Sequence, residues 1–353
     1  MYFFLSGWIL QKLKKAKFMH WIKRILKVLA VIGLACIFFL LLLFRSDIAP
    51  EEIEQKYATP QSHFIEVDGI NVHVRIMGEG DPVFLLHGSF SSLYTWDVWQ
   101  QELSPYFLTI SLDFPGHGLT GPDELKRYSL TDYSQLVLQL SEKLNLDHFH
   151  LAGNSMGGAV AMQIASTRPD KVISLNLIDA AGAPQNLNSF NAKDSNQDKA
   201  WIFKLAESPV FSSILLKCTP KFLFSMNMRQ VYSDDQKITD ETVNRYYELM
   251  LRKGNRKATL DRLGAPRESR IDFDRLTMPT LIMWGKEDSW IPVDRAYALE
   301  KLIPDAKLVV FDHAGHVPME EIPTESVAKY LSFLGVEVRK DYFHNPQLMT
   351  YAD

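Results

Sequence analysis

The chain has 353 residues, 46% of them apolar and 23% charged, with a net charge of −4. That is enough apolar side chain for a large buried core, and the slightly acidic balance gives no footing for nucleic-acid binding. Only Cys36 and Cys218 are cysteines, which excludes a disulfide framework and leaves the redox compartment open.

The N-terminal stretch has the composition of a membrane anchor. Val28 to Phe44 carries no charge, and Ile25-Leu26 extends the apolar run across Lys27. Lys12, Lys14, Lys15, Lys17, Lys23, Arg24 and Lys27 precede it, with no acid among them, whereas Asp47, Glu51, Glu52 and Glu54 follow. A run of this length approaches what a bilayer core requires. The bias of positive charge predicts a cytoplasmic N-terminus and the rest of the chain on the other side, periplasmic in a bacterium. The competing reading is a cleaved signal peptide, but the run exceeds an h-region and no small-x-small site follows. A lipoprotein cysteine at Gly33-Leu34-Ala35-Cys36 would leave Ile37-Phe38-Phe39 in water. Met19 opens a second basic segment and is an alternative start. The expected layout is a basic cytoplasmic segment over 1–24, a transmembrane anchor over 25–45 and a solvated linker over 46–60.

From residue 61 short apolar runs alternate with helical stretches. Phe64–Val67 and Val72–Ile76 flank Asp68-Gly69, a hairpin signal. Val83–Leu86, Leu108–Leu112, Phe149–Ala152 and Val172–Ile178 read as buried strands, with a helix predicted over Leu130–Leu144. The pattern predicts an α/β fold, a mostly parallel central sheet with helices on both faces. It breaks after Gly182, stays helical in character to about residue 265, and resumes with Thr280–Trp284 and Lys307–Phe311. The predicted core therefore spans 61–182 and 269–338, interrupted by a helical lid over 183–268 and followed by a tail over 339–353. The lid carries Trp201, Phe203, Phe211, Leu215, Leu216, Phe222, Phe224, Met226 and Met228, which suit an apolar acyl chain or simply the lid's own core.

Gly153-Asn154-Ser155-Met156-Gly157 joins a strand to the apolar helix beginning near Ala159. This is the spacing of a nucleophile elbow, in which glycines two residues either side clear space for a sharply turned serine. A serine needs a base, and the base an orienting acid. Asp288 follows the strand at 280–284, and His316 follows the strand at 307–311, each in the loop where catalytic groups of such sheets gather. Glu287 and Asp179 compete with Asp288 as the acid. His313 is expected at the surface, and His87 as a structural hydrogen-bonder. The oxyanion donors are expected to be the backbone N–H groups of Met156 and Ser89, with Phe90 as the alternative for the latter. His117, His148, His150 and Asp113 have no metal-ligand spacing, and no phosphate-binding glycine loop is present. No cofactor or metal is predicted.

Taken together, His87-Gly88, Asp113-Phe114-Pro115-Gly116-His117-Gly118, the elbow, Pro279–Gly285 with Asp288, and Gly315-His316 resemble the α/β-hydrolase fold superfamily across residues 61–338. The elbow is similar to those of meta-cleavage product hydrolases, bacterial lipases and membrane-anchored monoacylglycerol lipases. Serine at position 155 departs from haloalkane dehalogenases and epoxide hydrolases, which carry aspartate there. The resemblance, with the anchor, implies a serine esterase or lipase acting on a small-molecule or lipid ester. Its alternative is a carbon–carbon bond hydrolase, for which Arg229, Arg245 or Arg252 are candidate partners of a substrate carboxylate. Oligomeric state is not legible in the sequence.

Overall fold

The structure is a computed structural model describing residues 2–183, 208, 216–264 and 271–337. It divides into two units, residues 1–45 with 217–220, and the remainder. In the first unit, helix α1 runs from Tyr2 to Leu43. Its Lys17–Leu43 portion, 27 residues, is long and apolar enough to cross a membrane. Val31, Leu34, Phe38 and Leu41 each expose more than half of their surface, so this helix is not the core helix of a soluble domain.

In the second unit, β1 (Ser62–Val67) and β2 (Ile70–Met77) form the expected hairpin. Asp68 and Gly69 both take positive φ at its turn, 50° and 78°, as a two-residue loop between right-twisted strands requires. Next come β3 (Pro82–Leu86), α3 (Asp97–Leu103), β4 (Leu108–Leu112), α4 (Leu130–Lys143) and β5 (Phe149–Asn154). Then follow α5 (Met156–Thr167) and β6 (Val172–Ile178). The eight-stranded sheet has the order β1-β2-β4-β3-β5-β6-β7-β8, with β7 at Thr280–Gly285 and β8 at Lys307–Phe311. Only the pairings of β2, with β1 and with β4, are antiparallel. Phe84 and Leu86 belong to the apolar cluster on one face, Val83 and Leu85 to that on the other. Alternate residues of one strand thus feed two cores, which is why the strand is an unbroken apolar run.

Between β6 and β7 the described lid is helical, as the absence of strand runs predicted: α6 (Lys221–Met228), α7 (Asp240–Leu251) and α8 (Asn255–Leu263). Trp201, Phe203, Phe211 and Leu215 lie outside the described residues. Among the others, Met228 is buried and Phe224 packs beside it, whereas Phe222 and Met226 face solvent. The chain then continues through α9 (Asp294–Leu302), α10 (Pro318–Glu321) and α11 (Pro323–Phe333). Residues 338–353, which include all of the expected tail, lie outside the described residues.

The segment expected to be a solvated linker is instead a strap. Helix α2 (Pro50–Tyr57) buries Ile53 against Leu93, Tyr94, Leu119 and Leu249. Ile48 forms a parallel bridge with Arg252, and Asp47 pairs with Arg256 at 2.6 Å. Lys56 Nζ and the Tyr57 hydroxyl both donate to Glu248, at 2.6 and 2.8 Å. Glu51, Glu52 and Glu54 are exposed, as their charge suggests, but Asp47, Lys56 and Tyr57 pair with lid side chains far along the chain, pairings that no local pattern reveals.

Candidate active site

Strand β5 enters α5 through Ser155, whose backbone stands at φ 52° and ψ −117°. A non-glycine residue holds such angles only where its surroundings enforce them. The enforcement is visible: a Cβ on Gly153 would lie 2.3 Å from Gly157 O, and one on Gly157 would lie 2.1 Å from Leu86 O. Larger residues at either position would push the turn open. Ser155 N–H donates to Ile178 O at 3.0 Å, seating the elbow on β6. Ser155 is therefore presented at the N-terminus of α5, where unpaired N–H groups and the helix dipole favour negative charge.

His316 and Asp288 meet as expected. Asp288 Oδ2 lies 2.7 Å from His316 Nδ1, and both side chains are buried. A carboxylate only accepts, so Nδ1 donates, and Nε2 has no hydrogen-bond partner. The other carboxylate oxygen of Asp288 accepts from Trp290 N and Ile291 N at 2.8 and 3.0 Å. Trp284 braces the same loop by donating to Ile291 O at 2.9 Å, and the Trp290 ring packs on the imidazole with centroids 5.4 Å apart. Glu287 points to solvent and His313 is exposed. Asp179 is not remote: it is buried beside the pair.

The loop after β3 closes on the elbow. A Cβ on Gly88 would lie 3.1 Å from Ser155 Cβ, and Ser89 Oγ donates to Met156 Sδ at 3.6 Å. The two expected oxyanion donors, Met156 and Ser89, are thus neighbours. His87 is structural, as expected: Nε2 accepts from Phe114 N at 3.0 Å and Nδ1 donates to Gly88 O at 2.7 Å. Its burial depresses the imidazole pKa, keeping it neutral.

Two side chains escaped the sequence reading. Glu321 accepts from Gly315 N at 2.7 Å, and from Ser233 N and Asp234 N at 3.0 and 2.9 Å, clamping the histidine loop to the lid. Its only local signal was an acid at the start of a helical stretch. Arg262 on α8 donates to Ser89 Oγ at 3.1 Å and stacks over Phe90; nothing in its local sequence separates it from other lid arginines. Of the arginines named as candidates, Arg245 pairs with Asp97, Arg229 with Asp235, and Arg252 packs against Gly121.

A second serine–histidine–aspartate arrangement lies elsewhere. Ser62 Oγ is 2.9 Å from His73 Nε2, and His73 Nδ1 is 2.7 Å from Asp113 Oδ2. Ser62 Oγ also accepts from Thr59 N at 3.0 Å, and Asp113 receives Leu93 N and Leu119 N, both at 2.8 Å. This serine sits on a regular strand, away from any helix N-terminus, and its relay ties β1, β2 and β4 together.

The chain is 28% identical over 263 residues to the 2-hydroxy-6-oxo-2,4-heptadienoate hydrolase of Pseudomonas putida, covering 70% of this chain and 87% of that protein. Against Lipase 1 of Psychrobacter immobilis it is 26% identical over 269 residues, covering 73% and 78%. It is 29% identical over 268 residues to the dihydrolipoyllysine-residue acetyltransferase component of the acetoin cleaving system of Pseudomonas putida. That match covers 72% of this chain and 64% of the relative. Among solved structures, a bacterial membrane phospholipase A superimposes with a TM-score of 0.62 at 22% identity, covering 87% of this chain and 96% of its own. Residues 81–323 match the profile of the α/β hydrolase fold, and the chain belongs to that family.

Proposed function

We propose that this hydrolase is a membrane-anchored serine esterase or lipase that cleaves lipid-like carboxylic esters through an acyl-enzyme. The observation that carries the reading is the buried Asp288–His316 pair, 2.7 Å apart, beside a serine strained at φ 52° at a helix N-terminus. Ser155 Oγ attacks the ester carbonyl while His316 Nε2 takes its proton, and Asp288 fixes the imidazole tautomer. The oxyanion draws on the N–H groups of Met156 and Ser89. Collapse expels the alcohol, protonated by His316, and a water molecule activated by the same nitrogen releases the acid. No cofactor takes part. The bilayer-length helix supports anchoring, and the charge bias around it supports a domain on the non-cytoplasmic side. A reporter fused after Asp353 and active only outside the cytoplasm tests that orientation.

A second reading, carbon–carbon bond cleavage of an anionic vinylogous ketone, is favoured by one observation: the guanidinium of Arg262 stands 3.1 Å from Ser89 Oγ, where a substrate carboxylate would find it. The deciding experiment compares kcat/KM on p-nitrophenyl esters of graded length and on monoacylglycerol with that on a ring-cleavage ketone acid. The ester reading expects medium or long acyl chains to be preferred over acetyl, and the ketone acid to be turned over poorly. A profile that is flat or falls from acetyl upward removes the lipase assignment.

A further inference from the structure

Asp179 ends β6 next to the acid and base, and the chemistry above gives it no part. Its side chain is wholly buried and its backbone φ is 44°, a conformation that strains a non-glycine residue. A strained, buried acid is doubly expensive, and such expense marks functional positions. Asp179 Oδ1 accepts from Gly285 N at 2.9 Å. Its Oδ2 is buried and receives no donor. A carboxyl oxygen of Asp179, one of Asp288 and a ring nitrogen of His316 all lie within 4.8 Å of one another.

Two carboxylates this close in a dry site do not both ionise. The carboxylates acting on Asp179 are those of Asp288 and Glu321, both of which raise its pKa, and the His316 imidazole stands within 4.8 Å of it. Asp288 already spends its oxygens as an anion, on Trp290 N, Ile291 N and His316 Nδ1. Asp179 receives a single N–H. The proton therefore belongs on Asp179, and the oxygen without a donor is its hydroxyl. Burial first, and then the charge of Asp288, push this carboxyl well above the usual carboxylate range.

We propose that Asp179 is a positioning residue, a neutral carboxylic acid whose O–H donates to the Asp288 carboxylate and holds it against His316. The assignment rests on the reading of Asp288 and His316 as acid and base. No covalent step is involved. Asparagine at this position keeps a donor where the hydroxyl was, whereas leucine removes it.

The test uses the full-length protein with Asp179→Asn and Asp179→Leu. Its first arm is thermal stability against pH and needs no substrate. A carboxyl whose pKa is raised in the folded state is stabilising only below its unfolded value, 3.8, and costs stability as pH rises from there towards the folded value. Asp179→Asn is therefore expected to melt above wild type at neutral pH, with the gap closing as pH falls to about 4. An Asn variant that melts below wild type at neutral pH, with the deficit closing in acid, would show Asp179 ionised and overturn the proposal. The second arm is ester turnover: Asp179→Asn is expected to stay within a few-fold of wild type, and Asp179→Leu to lose up to about 10²-fold in kcat with KM little changed. Equal kcat in the Asn and Leu variants would overturn it as well. Fluorophosphonate labelling of the same samples reports on the hydrolase assignment separately. If nothing labels or turns over, that assignment fails, and the stability arm still decides the state of Asp179.

Discussion

The side-chain amide of Asn154 donates to the main-chain carbonyl of His316 at 2.9 Å. It ties the residue before the proposed nucleophile to the loop that carries the proposed base. With Glu321 holding Gly315 from the other side, the imidazole is held in place, and in the proposed mechanism the three groups act as a unit. Ser155→Ala and His316→Ala should each lower kcat by several orders of magnitude with little change in melting temperature. The double variant should be hardly worse than either single one. Asp288→Asn should be severe because it favours the wrong imidazole tautomer. Steady-state kinetics on one ester series checks all four proteins. A crippled Asp179→Asn beside a mild Asp288→Asn would reassign the acid.

The relay at Ser62 has hydrogen-bond distances like those of a triad but none of its context. Burial pushes the Asp113 carboxyl up, yet the hydrogen bond from His73 and the N–H of Leu93 outweigh it and hold it at about 2. Its ionised form therefore contributes stability above the ordinary carboxylate value that is lost as pH falls towards about 2. Ser62→Ala should leave kcat/KM and fluorophosphonate labelling unchanged while lowering the melting temperature modestly. Loss of labelling in Ser62→Ala would mean that the wrong serine has been read as the nucleophile.

The strap bears on how the domain can be trimmed. Removing residues 1–45 takes away α1 and leaves the Ile53 contacts in place, so the remainder should be soluble and active. Removing residues 1–58 also deletes Ile53, a buried side chain whose loss costs on the order of 2–5 kcal/mol, together with the pairings to Glu248 and Arg256. That shorter protein should melt at clearly lower temperature and lose activity through its lid helices. Differential scanning fluorimetry and ester kinetics on the two truncations decide; equal behaviour would show the strap to be dispensable.

Much of the framework was readable because it is written locally. Two strands flank a hairpin turn signal, the other six are short, mostly apolar runs, and the elbow is a glycine spacing with a steric reason. Asp288 and His316 follow strands in the loops where such sheets collect catalytic groups. The strap was misread because its acids look solvated in sequence, while Glu248, the partner of Lys56, and Arg256, the partner of Asp47, stand about two hundred residues away. Arg262 was missed for a similar reason: α8 delivers it to Ser89 by packing, not by any pattern around residue 262. The burial of Asp179 beside Asp288 depends on β6 and β7 being sheet neighbours, and strand order is not encoded in any single stretch.

Arg262 separates the two substrate readings. Arg262→Gln should leave kcat/KM on neutral esters within a few-fold of wild type. Its turnover of an anionic ketone acid should fall by about tenfold or more, since a charge-assisted contact to a carboxylate contributes more than a neutral one. Parallel assays on the two substrate types measure the ratio. A large loss on neutral esters would place Arg262 in the ester machinery itself, through its hydrogen bonds to Ser89 Oγ at 3.1 Å and Met156 Sδ at 3.7 Å.

Labelling of the full-length protein with a fluorophosphonate, followed to completion by peptide mass spectrometry beside an ester assay, tests the central claim most directly. The account predicts one phosphonyl adduct per chain, on Ser155, with hydrolysis lost in proportion to labelling and no adduct in Ser155→Ala. Ester hydrolysis that survives complete labelling, or an adduct on another serine that abolishes it, would contradict the account.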